Sequence, residues 1–290
     1  MQQVQSIRQI TSPTAQDGVF VPALTHHEAL LMSAEELRRF VTLIESLADG
    51  DWNKQTACSL WTVKDVVAHQ ATHVCGFTSP RNLISQVNPA LLWPYMRKGM
   101  GVLDAMNQAQ VDLRRHYTPS ELIAEIHDAV DRSLKGRDRI PAFVRAPILP
   151  LPGFDQPRSL GYLFDVIYTR DMWMHRIDIC SATGRKMPLD SDHDGRAVAL
   201  IVRDLAEKSK RGLNGHSAIL ELTGPAGNSY RIGRNPIPEA TIEMDALAFC
   251  VLTSGREKAA TVLTNSCATL HGEIPFGRTV LNFSENRVLF

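Results

Sequence analysis

The N-terminal half of the chain shows the hydrophobic spacing of amphipathic helices. From Thr25 onward, apolar residues recur at intervals of three and four, which predicts a first helix. Thr25 and Glu28 have the spacing of an N-terminal capping box, and Ser33 and Glu36 repeat that spacing further along. The predicted core face of this helix consists of Leu37, Phe40, Val41, Ile44 and Leu47.

Three further helices are predicted. The segment WTVKDVVAHQATHVCGF forms the second, with Thr62 as its N-cap. TPSELIAEIHDAVDRSLKG forms the third, because Pro119 suits a first helical turn and Gly136 suits a stop. YTRDMWMHRIDIC, residues 168–180, belongs to the fourth. Five prolines between 141 and 157 exclude regular helix before it and favour an ordered, extended loop. Four helices with one long connection predict a helix bundle.

The pattern changes in the last third of the chain. GRAVALIVRDLAEKSKRG predicts one more helix, whereas SAILELTGPAGNSYRIG alternates apolar and polar residues around a turn and predicts a hairpin. MDALAFCVLTSGR and FGRTVLNFS return to helix, with the short strand ATLHGE between them. This mixture predicts a separate α+β domain. The expected organisation is an N-terminal extension (1–24), a helix bundle (25–187) and the α+β domain (188–290).

Composition narrows the classes of partner and compartment. The 31 basic and 31 acidic residues balance, so neither a nucleic-acid footprint nor a basic membrane-binding surface is expected. We expect a small-molecule substrate, and a monomer or homodimer. The N-terminus lacks a signal-peptide pattern and no apolar run is long enough for a membrane span, which favours a soluble, cytoplasmic protein. Neither a disulfide framework nor a cysteine zinc knuckle is expected from the five scattered cysteines, Cys58, Cys75, Cys180, Cys250 and Cys267.

The fourth predicted helix places polar side chains on its apolar face. At roughly 100° per residue, Asp171 and His175 fall within an apolar sector about 120° wide. The other members of that sector are Leu160, Leu163, Phe164, Ile167, Met174 and Asp178. In the second helix, His69 and His73 share a face with Val66 and Phe77. A carboxylate and imidazoles that face each other inside a bundle have the chemistry of a mononuclear metal site. The alternative is a buried hydrogen bond between Asp171 and an imidazole that only rigidifies the bundle.

Three segments resemble one known family. SLWTVKDVVAHQATH is similar to the W-T-V-x-D-V-V-A-H segment, and TRDMWMHRIDICSATGR to the R-D/E-xxx-H-xx-D-I/L-xxx-G-R segment, of the mycothiol-dependent maleylpyruvate isomerase family in the DinB-like superfamily. MDALAFCVLTSGR resembles the G-D-A-xx-L-xx-L-x-G-R element of that family's smaller C-terminal domain. The resemblance implies an N-terminal DinB-like four-helix bundle and a C-terminal, sterol-carrier-like α+β domain.

The resemblance also implies a set of site residues. A divalent metal, usually zinc, would be bound by His69, Asp171 and His175, and Arg256 would act at the same site. The sequence departs from the family pattern at residues 58–61, where Cys-Ser-Leu-Trp replaces Cys-Pro-Gly-Trp, and at Asp171, where the isomerases themselves have Glu. His73 is an additional candidate ligand. A further residue, Asp178, could orient a ligand or bond to the helix-end backbone.

Three functions are compatible with these residues. The first is a metal-dependent isomerase or S-transferase that activates mycothiol or another low-molecular-weight thiol, with Arg256 paired to a carboxylate of the thiol or the substrate. The second keeps the metal but uses no thiol, as in a Lewis-acid cyclase or a hydrolase. The third is a non-enzymatic carrier of an apolar ligand, in which the polar residues only stabilise the bundle.

Overall fold

Two units make up residues 15–290, the part of the chain that a computed structural model describes. Ala23–Leu189 and Val288–Phe290 form the first unit, and residues 15–22 with Asp190–Arg287 form the second. Residues 1–14 of the expected N-terminal extension lie outside the described residues.

Both chain ends depart from the expected division. Within the expected extension, Gln16–Asp17 form a strand (β1) that belongs to the sheet of the second unit. At the other end, the guanidinium of Arg170 donates to the carbonyl of Leu289 and lies over the ring of Phe290, so the last residues belong to the helical unit. Neither short segment carries a periodicity that could have revealed these pairings.

The first unit is built mainly of helices. In chain order they are α1 (His26–Glu45), α2 (Val63–Gly76), α3 (Pro80–Ser85), α4 (Pro89–Met96), α5 (Val102–Leu113), α6 (Pro119–Asp138), α7 (Ala142–Arg145), α8 (Leu160–Tyr162) and α9 (Tyr168–Thr183). Helices α1 and α2 each pack against both α6 and α9, which gives a four-helix arrangement with an apolar core that includes Phe40, Ile44, Val66, Leu122 and Ile179.

Helices α3, α4 and α5 were not predicted. Both α3 and α4 are short and begin at a proline, and Pro94 lies inside α4. Together with the glycine that precedes α5, these residues mask the helical period in the sequence.

Two predicted helix signals have other roles in the structure. Thr25 forms the expected capping box with Glu28. The second candidate, Ser33 with Glu36, is wrong as a cap, because both residues are buried inside α1. The Glu36 carboxylate instead accepts a 2.6 Å hydrogen bond from Nε of Arg176 on α9. Glu36 therefore has the spacing of a capping residue but forms a buried ion pair between α1 and α9.

Gly136 does not stop α6, which continues to Asp138. A β-carbon at this position would lie 1.8 Å from the backbone carbonyl oxygen of Phe77. The glycine therefore permits close approach of the segment that follows α2, and its role is packing rather than termination.

The connection before the fourth bundle helix is more ordered than expected. The prolines leave room for the single helical turn α7, and Ile148–Leu149 (β2) pairs with Arg158–Ser159 (β3). A π-helical turn, Leu163–Ile167, then joins α8 to α9. In this turn the backbone N–H of Tyr168 donates to the carbonyl of Leu163, five residues back instead of four.

The second unit combines a mixed sheet with helices. Its further elements are α10 (His193–Gly212), β4 (Ser217–Thr223), β5 (Ser229–Gly233), β6 (Ala240–Asp245), α11 (Ala246–Thr253), α12 (Ala259–Thr264), β7 (Ala268–Gly272) and α13 (Ile274–Ser284). The sheet order is β1-β5-β4-β6-β7, and the predicted hairpin is the antiparallel pair β4–β5. Strand β6 was missed because the helical pattern from Met244 onward obscured it: Asp245 ends β6 and its side chain caps α11. Among the described residues, no helix has the length and hydropathy needed to cross a membrane.

The packing role of Gly136 predicts the effect of one methyl group. Gly136→Ala would force the backbone at Phe77 to move, and we expect the free energy of unfolding to fall by about 1–3 kcal/mol. Gly50→Ala is the control, because a β-carbon there meets nothing within 4 Å. Urea denaturation of both variants measures the difference, and a Gly136→Ala protein as stable as the control would contradict the packing role.

Candidate metal centre

Helix α2 brings two imidazoles into the bundle. Its N-terminus is fixed by a capping box in which Thr62 accepts from the N–H of Asp65 and Asp65 accepts from the N–H of Thr62. Its next turns carry His69, which is 1% exposed, and His73, which is half-buried. Both rings face the interior as the sequence predicts, and their centroids lie 4.2 Å apart.

Helix α9 contributes the acid and the third imidazole. Asp171 and His175 lie one turn apart, and both face α2. Most of the helix is buried, including its other polar face, where Arg176 pairs with Glu36. The prediction that Asp171 and His175 face inward was therefore correct. However, the buried part of the α9 surface is wider than the predicted sector.

The three predicted ligand residues converge. Nε2 of His69 lies 3.3 Å from Oδ2 of Asp171, and Nε2 of His175 lies 3.5 Å from Oδ1. One donor atom from each of the three residues lies within 4.8 Å of the other two. Zinc bonds of about 2.0–2.2 Å in a tetrahedral arrangement separate neighbouring ligand atoms by roughly 3.3–3.6 Å. The two measured separations match that spacing.

His73 lies beside this group without joining it. Its Nδ1 is 3.3 Å from Oδ2 of Asp171, but the two groups are not aligned as a hydrogen bond. His73 is also absent from the described triad of mutually close donor atoms. Gln70, which the sequence analysis did not single out, donates to the same Oδ2 at 2.5 Å. Gln70 follows His69 directly, and no period distinguishes it on a helix that is buried on most sides.

Asp178 contacts the side of the His175 ring that faces away from Asp171. Its Oδ2 lies 2.8 Å from Nδ1 of His175. Of the two roles expected for Asp178, orienting a ligand or bonding to the helix-end backbone, the structure shows a contact that suits the first. The contact with Nδ1 directs Nε2 of His175 toward Asp171. The Cys58 thiol also lies 3.7 Å from Asp178, and these three residues form a second group of mutually close donor atoms that shares His175.

Aromatic rings enclose the imidazoles. The Trp61 ring lies 4.9 Å from that of His69 and 5.9 Å from that of His175, measured between centroids, and its Nε1 donates to Gln108. Tyr168 packs against His73 with 4.6 Å between centroids. These contacts restrict the rotamers of the imidazoles and exclude water from one side of the group.

The charges of the group depend on one another. Burial and the neighbouring His73 lower the pKa of His69 to about 4. Burial would raise the pKa of Asp171, but His175 and His69 hold it well below its ordinary value. Burial would lower the pKa of His175, but the Asp171 carboxylate and the hydrogen bond with Asp178 raise it. At neutral pH the group therefore comprises an ionised Asp171, a neutral His69 and a protonated His175.

This donor set fits a divalent metal ion. Two imidazoles and one carboxylate are a common zinc ligand set with an open coordination position, and the Asp171 side chain keeps 13% of its surface exposed. In the described part of the chain, Nδ1 of His69, Nδ1 of His73 and Oε1 of Gln70 are buried without a hydrogen-bond partner. Interiors rarely leave such atoms unsatisfied, and the three residues that carry them all contact Asp171. The cluster is therefore incomplete as a purely structural hydrogen-bond network.

Arg256 belongs to the second unit. It lies in the bend between α11 and α12, its side chain is half-buried, and its backbone N–H donates to the carbonyl of Val251. This backbone hydrogen bond fixes the turn that follows α11, which ends at Thr253, so the last residues of the segment MDALAFCVLTSGR are not helical.

Comparisons with known proteins agree with the architecture. Two crystal structures of the mycothiol-dependent maleylpyruvate isomerase, one of them of a histidine-to-alanine mutant, resemble this chain with TM-scores of 0.54 and 0.53. Each alignment covers 87% of this chain and 95% of the other, at 13% identity, which shows a shared fold. No curated protein sequence matches the chain significantly.

A family profile gives the stronger assignment. The profile described as the mycothiol maleylpyruvate isomerase N-terminal domain matches residues 33–180, more than half of the 290-residue chain. The matched region contains His69, Asp171 and His175. The chain therefore belongs to the mycothiol maleylpyruvate isomerase family.

Proposed function

We propose that the protein is a metal-dependent enzyme that uses a low-molecular-weight thiol to isomerise a small electrophilic substrate, or that joins the thiol to such a substrate through its sulfur (S-transfer). The observation that supports this proposal is the convergence of His69, Asp171 and His175 inside the domain that the family profile matches. Zinc is the proposed metal, because the donor set is nitrogen and carboxylate oxygen in a compact, largely buried cluster.

The side chains have distinct roles in this proposal. A divalent ion at this position would supply a Lewis acid that favours the ionised form of a thiol. His69 is neutral and would hold the ion without losing a proton, whereas His175 would have to lose one to hold it through Nε2. Asp178 keeps the His175 ring oriented, and Gln70 keeps the Asp171 carboxylate oriented. The partial exposure of Asp171 leaves one side from which reactants can approach.

Mycothiol is the first thiol to test, because the similar solved proteins are described as mycothiol-dependent. The corresponding substrate class is a small cis-unsaturated acid such as maleylpyruvate. Addition of the thiolate to one carbon of the double bond leaves a single bond about which the substrate rotates. Elimination of the same thiolate then restores the double bond in the trans form, with no net oxidation or reduction.

Arg256 completes the proposal as a binding residue for a carboxylate of the thiol or the substrate. A planar guanidinium binds a carboxylate through two parallel hydrogen bonds, which a lysine ammonium cannot reproduce. This role is carried over from the family motif to Arg256.

The reaction can be tested directly with the full chain. We expect zinc-loaded protein to convert maleylpyruvate to its trans isomer only when mycothiol is present, as followed by chromatography. A second thiol, such as glutathione, tests the choice of thiol. Conversion without any thiol would favour the Lewis-acid alternative, and no conversion with any thiol or electrophile tested would contradict the enzymatic proposal.

Removal of a metal ligand should remove the metal but not the fold. We expect the wild-type protein to bind about one zinc ion per chain and His69→Ala, Asp171→Asn and His175→Ala to lose most of it, with helix content largely retained. His127→Ala is the matched control, because this α6 histidine is half exposed and pairs with Glu45. Elemental analysis and circular dichroism measure both properties. Full zinc content in His175→Ala, or loss in His73→Ala but not in His69→Ala, would contradict the ligand assignment.

Substitution of Arg256 should separate binding of the reactants from binding of the metal. We expect Arg256→Ala to retain zinc and fold but to lose thiol-dependent turnover, by on the order of 2–4 kcal/mol in activation free energy if the group stabilises developing charge. Arg256→Lys should recover only part of this loss. Arg278→Ala, an exposed arginine of the same unit, is the control. Equal turnover of Arg256→Ala and wild type would remove Arg256 from the site.

A further inference from the structure

One buried arginine of the bundle contacts the backbone next to the metal-ligand helix. Arg137 on α6 is 6% exposed and donates to Ser33 Oγ on α1, to the backbone carbonyl of Phe164 and, at 3.2 Å, to Thr169 Oγ1. Its guanidinium lies 4.9 Å from the ring centroid of Phe77. Among the described residues, no carboxylate lies within ion-pair distance of Arg137. Burial lowers the pKa of Arg137, and the nearby Asp165 partly offsets this effect. A buried guanidinium with such partners is costly, so its contacts indicate a specific role.

The carbonyl that Arg137 binds belongs to the π-helical turn Leu163–Ile167. In an α-helix the N–H of Tyr168 would donate to the carbonyl of Phe164. Here that N–H donates to Leu163 instead, and Phe164 accepts from Arg137. The guanidinium of Arg137 therefore donates to the Phe164 carbonyl in place of the Tyr168 N–H, which the π-helical turn directs to Leu163.

The π-helical turn determines the orientation of the helix that follows it. A wide turn inserts one residue relative to a continuous α-helix, which rotates the following residues by about 100° relative to the preceding ones. Asp171 lies in the first turn of α9, directly after the wide turn, and His175 lies one turn later. Without the wide turn, both side chains would be turned by about 100° from the direction of His69 if α8 kept its position.

The same arginine fixes the first residues of α9 on two sides. Thr169, in the first turn of α9, accepts from Arg137. Tyr168 packs against the ring of Phe77, with 4.9 Å between centroids, and Phe77 in turn lies under the guanidinium. Because Tyr168 also contacts His73, the packing connects Arg137 to both helices that carry imidazoles.

We propose that Arg137 is a positioning residue: it stabilises the π-helical turn and thereby directs Asp171 and His175 toward His69. The proposal rests on the proposed function, since it treats these three residues as metal ligands. It assigns Arg137 no contact with metal, thiol or substrate.

Four variants of the full chain test this role. Arg137→Met removes the donors, and Arg137→Lys keeps a cation without the forked geometry. Arg132→Met, on the same helix, replaces an exposed arginine that pairs with Asp128 at 2.8 Å. Leu122→Ala, also on α6, removes buried apolar volume and provides a protein of reduced stability whose π-helical turn is intact. Zinc affinity is measured by competition with a chromophoric chelator, and Co²⁺ absorption reports the geometry of the ligands.

We expect both Arg137 variants to bind zinc about 10- to 100-fold more weakly than wild type, with a changed Co²⁺ spectrum. Arg132→Met and Leu122→Ala should keep wild-type affinity and spectrum, even though Leu122→Ala lowers the thermal midpoint. Amide hydrogen exchange without metal should be faster over residues 160–175 in Arg137→Met than in Arg132→Met.

Each other outcome has a distinct meaning. Wild-type zinc affinity and spectrum in a folded Arg137→Met would overturn the positioning role and leave the proposed function intact. A similar loss of affinity in Leu122→Ala would reduce Arg137 to a general contributor to stability, as would loss of helical structure in both Arg137 variants. Absence of zinc binding in the wild type would reject the proposed function itself, and with it this role of Arg137.

Discussion

The interior of the bundle depends on the burial of one carboxylate. An ionised acid inside a protein is strongly unfavourable unless opposite charge and hydrogen-bond donors surround it. Asp171 has both, because Gln70 donates to it and imidazoles from two helices face its oxygens. The same constraint makes the residues interdependent: the pKa of Asp171 is low because His175 is charged, and the pKa of His175 is high because Asp171 and Asp178 flank it.

The backbone that positions the cluster is irregular. The π-helical turn before α9, the carbonyl contact of Arg137 and the glycine at 136 all lie where α6, α9 and the end of α2 approach one another. The buried pair of Glu36 and Arg176 connects α1 to the opposite face of α9. Since a rigid helix carries its side chains in a fixed relation, these contacts fix the rotation of α9 at which Asp171 and His175 face His69.

The sequence predicts the main helices and the cluster because both follow from periodicity. Polar residues spaced by four on an apolar face must enter the interior, so periodicity places His69, His73, Asp171 and His175 inside the bundle. The choice of His69, Asp171 and His175 among them came from the family resemblance. The π-helical turn could not be predicted in this way, since the 100° period assumes that no turn contains an extra residue. Gly136 illustrates the same limit: a glycine near a helix end favours a stop, and only the position of Phe77 reveals a packing role. Strand β6 was not predicted because it continues directly into α11: Asp245 is the last residue of the strand and the N-cap of the helix.

X-ray absorption at the zinc edge tests the central claim most directly, because the structure contains two overlapping groups of donor atoms. One group is His69, Asp171 and His175, and the other replaces two of them with Cys58 and Asp178. For zinc-loaded wild-type protein we predict nitrogen and oxygen neighbours at about 2.0–2.2 Å, with the multiple scattering of two imidazoles and no sulfur. A sulfur neighbour at about 2.3 Å, or a spectrum without imidazole scattering, would contradict the account.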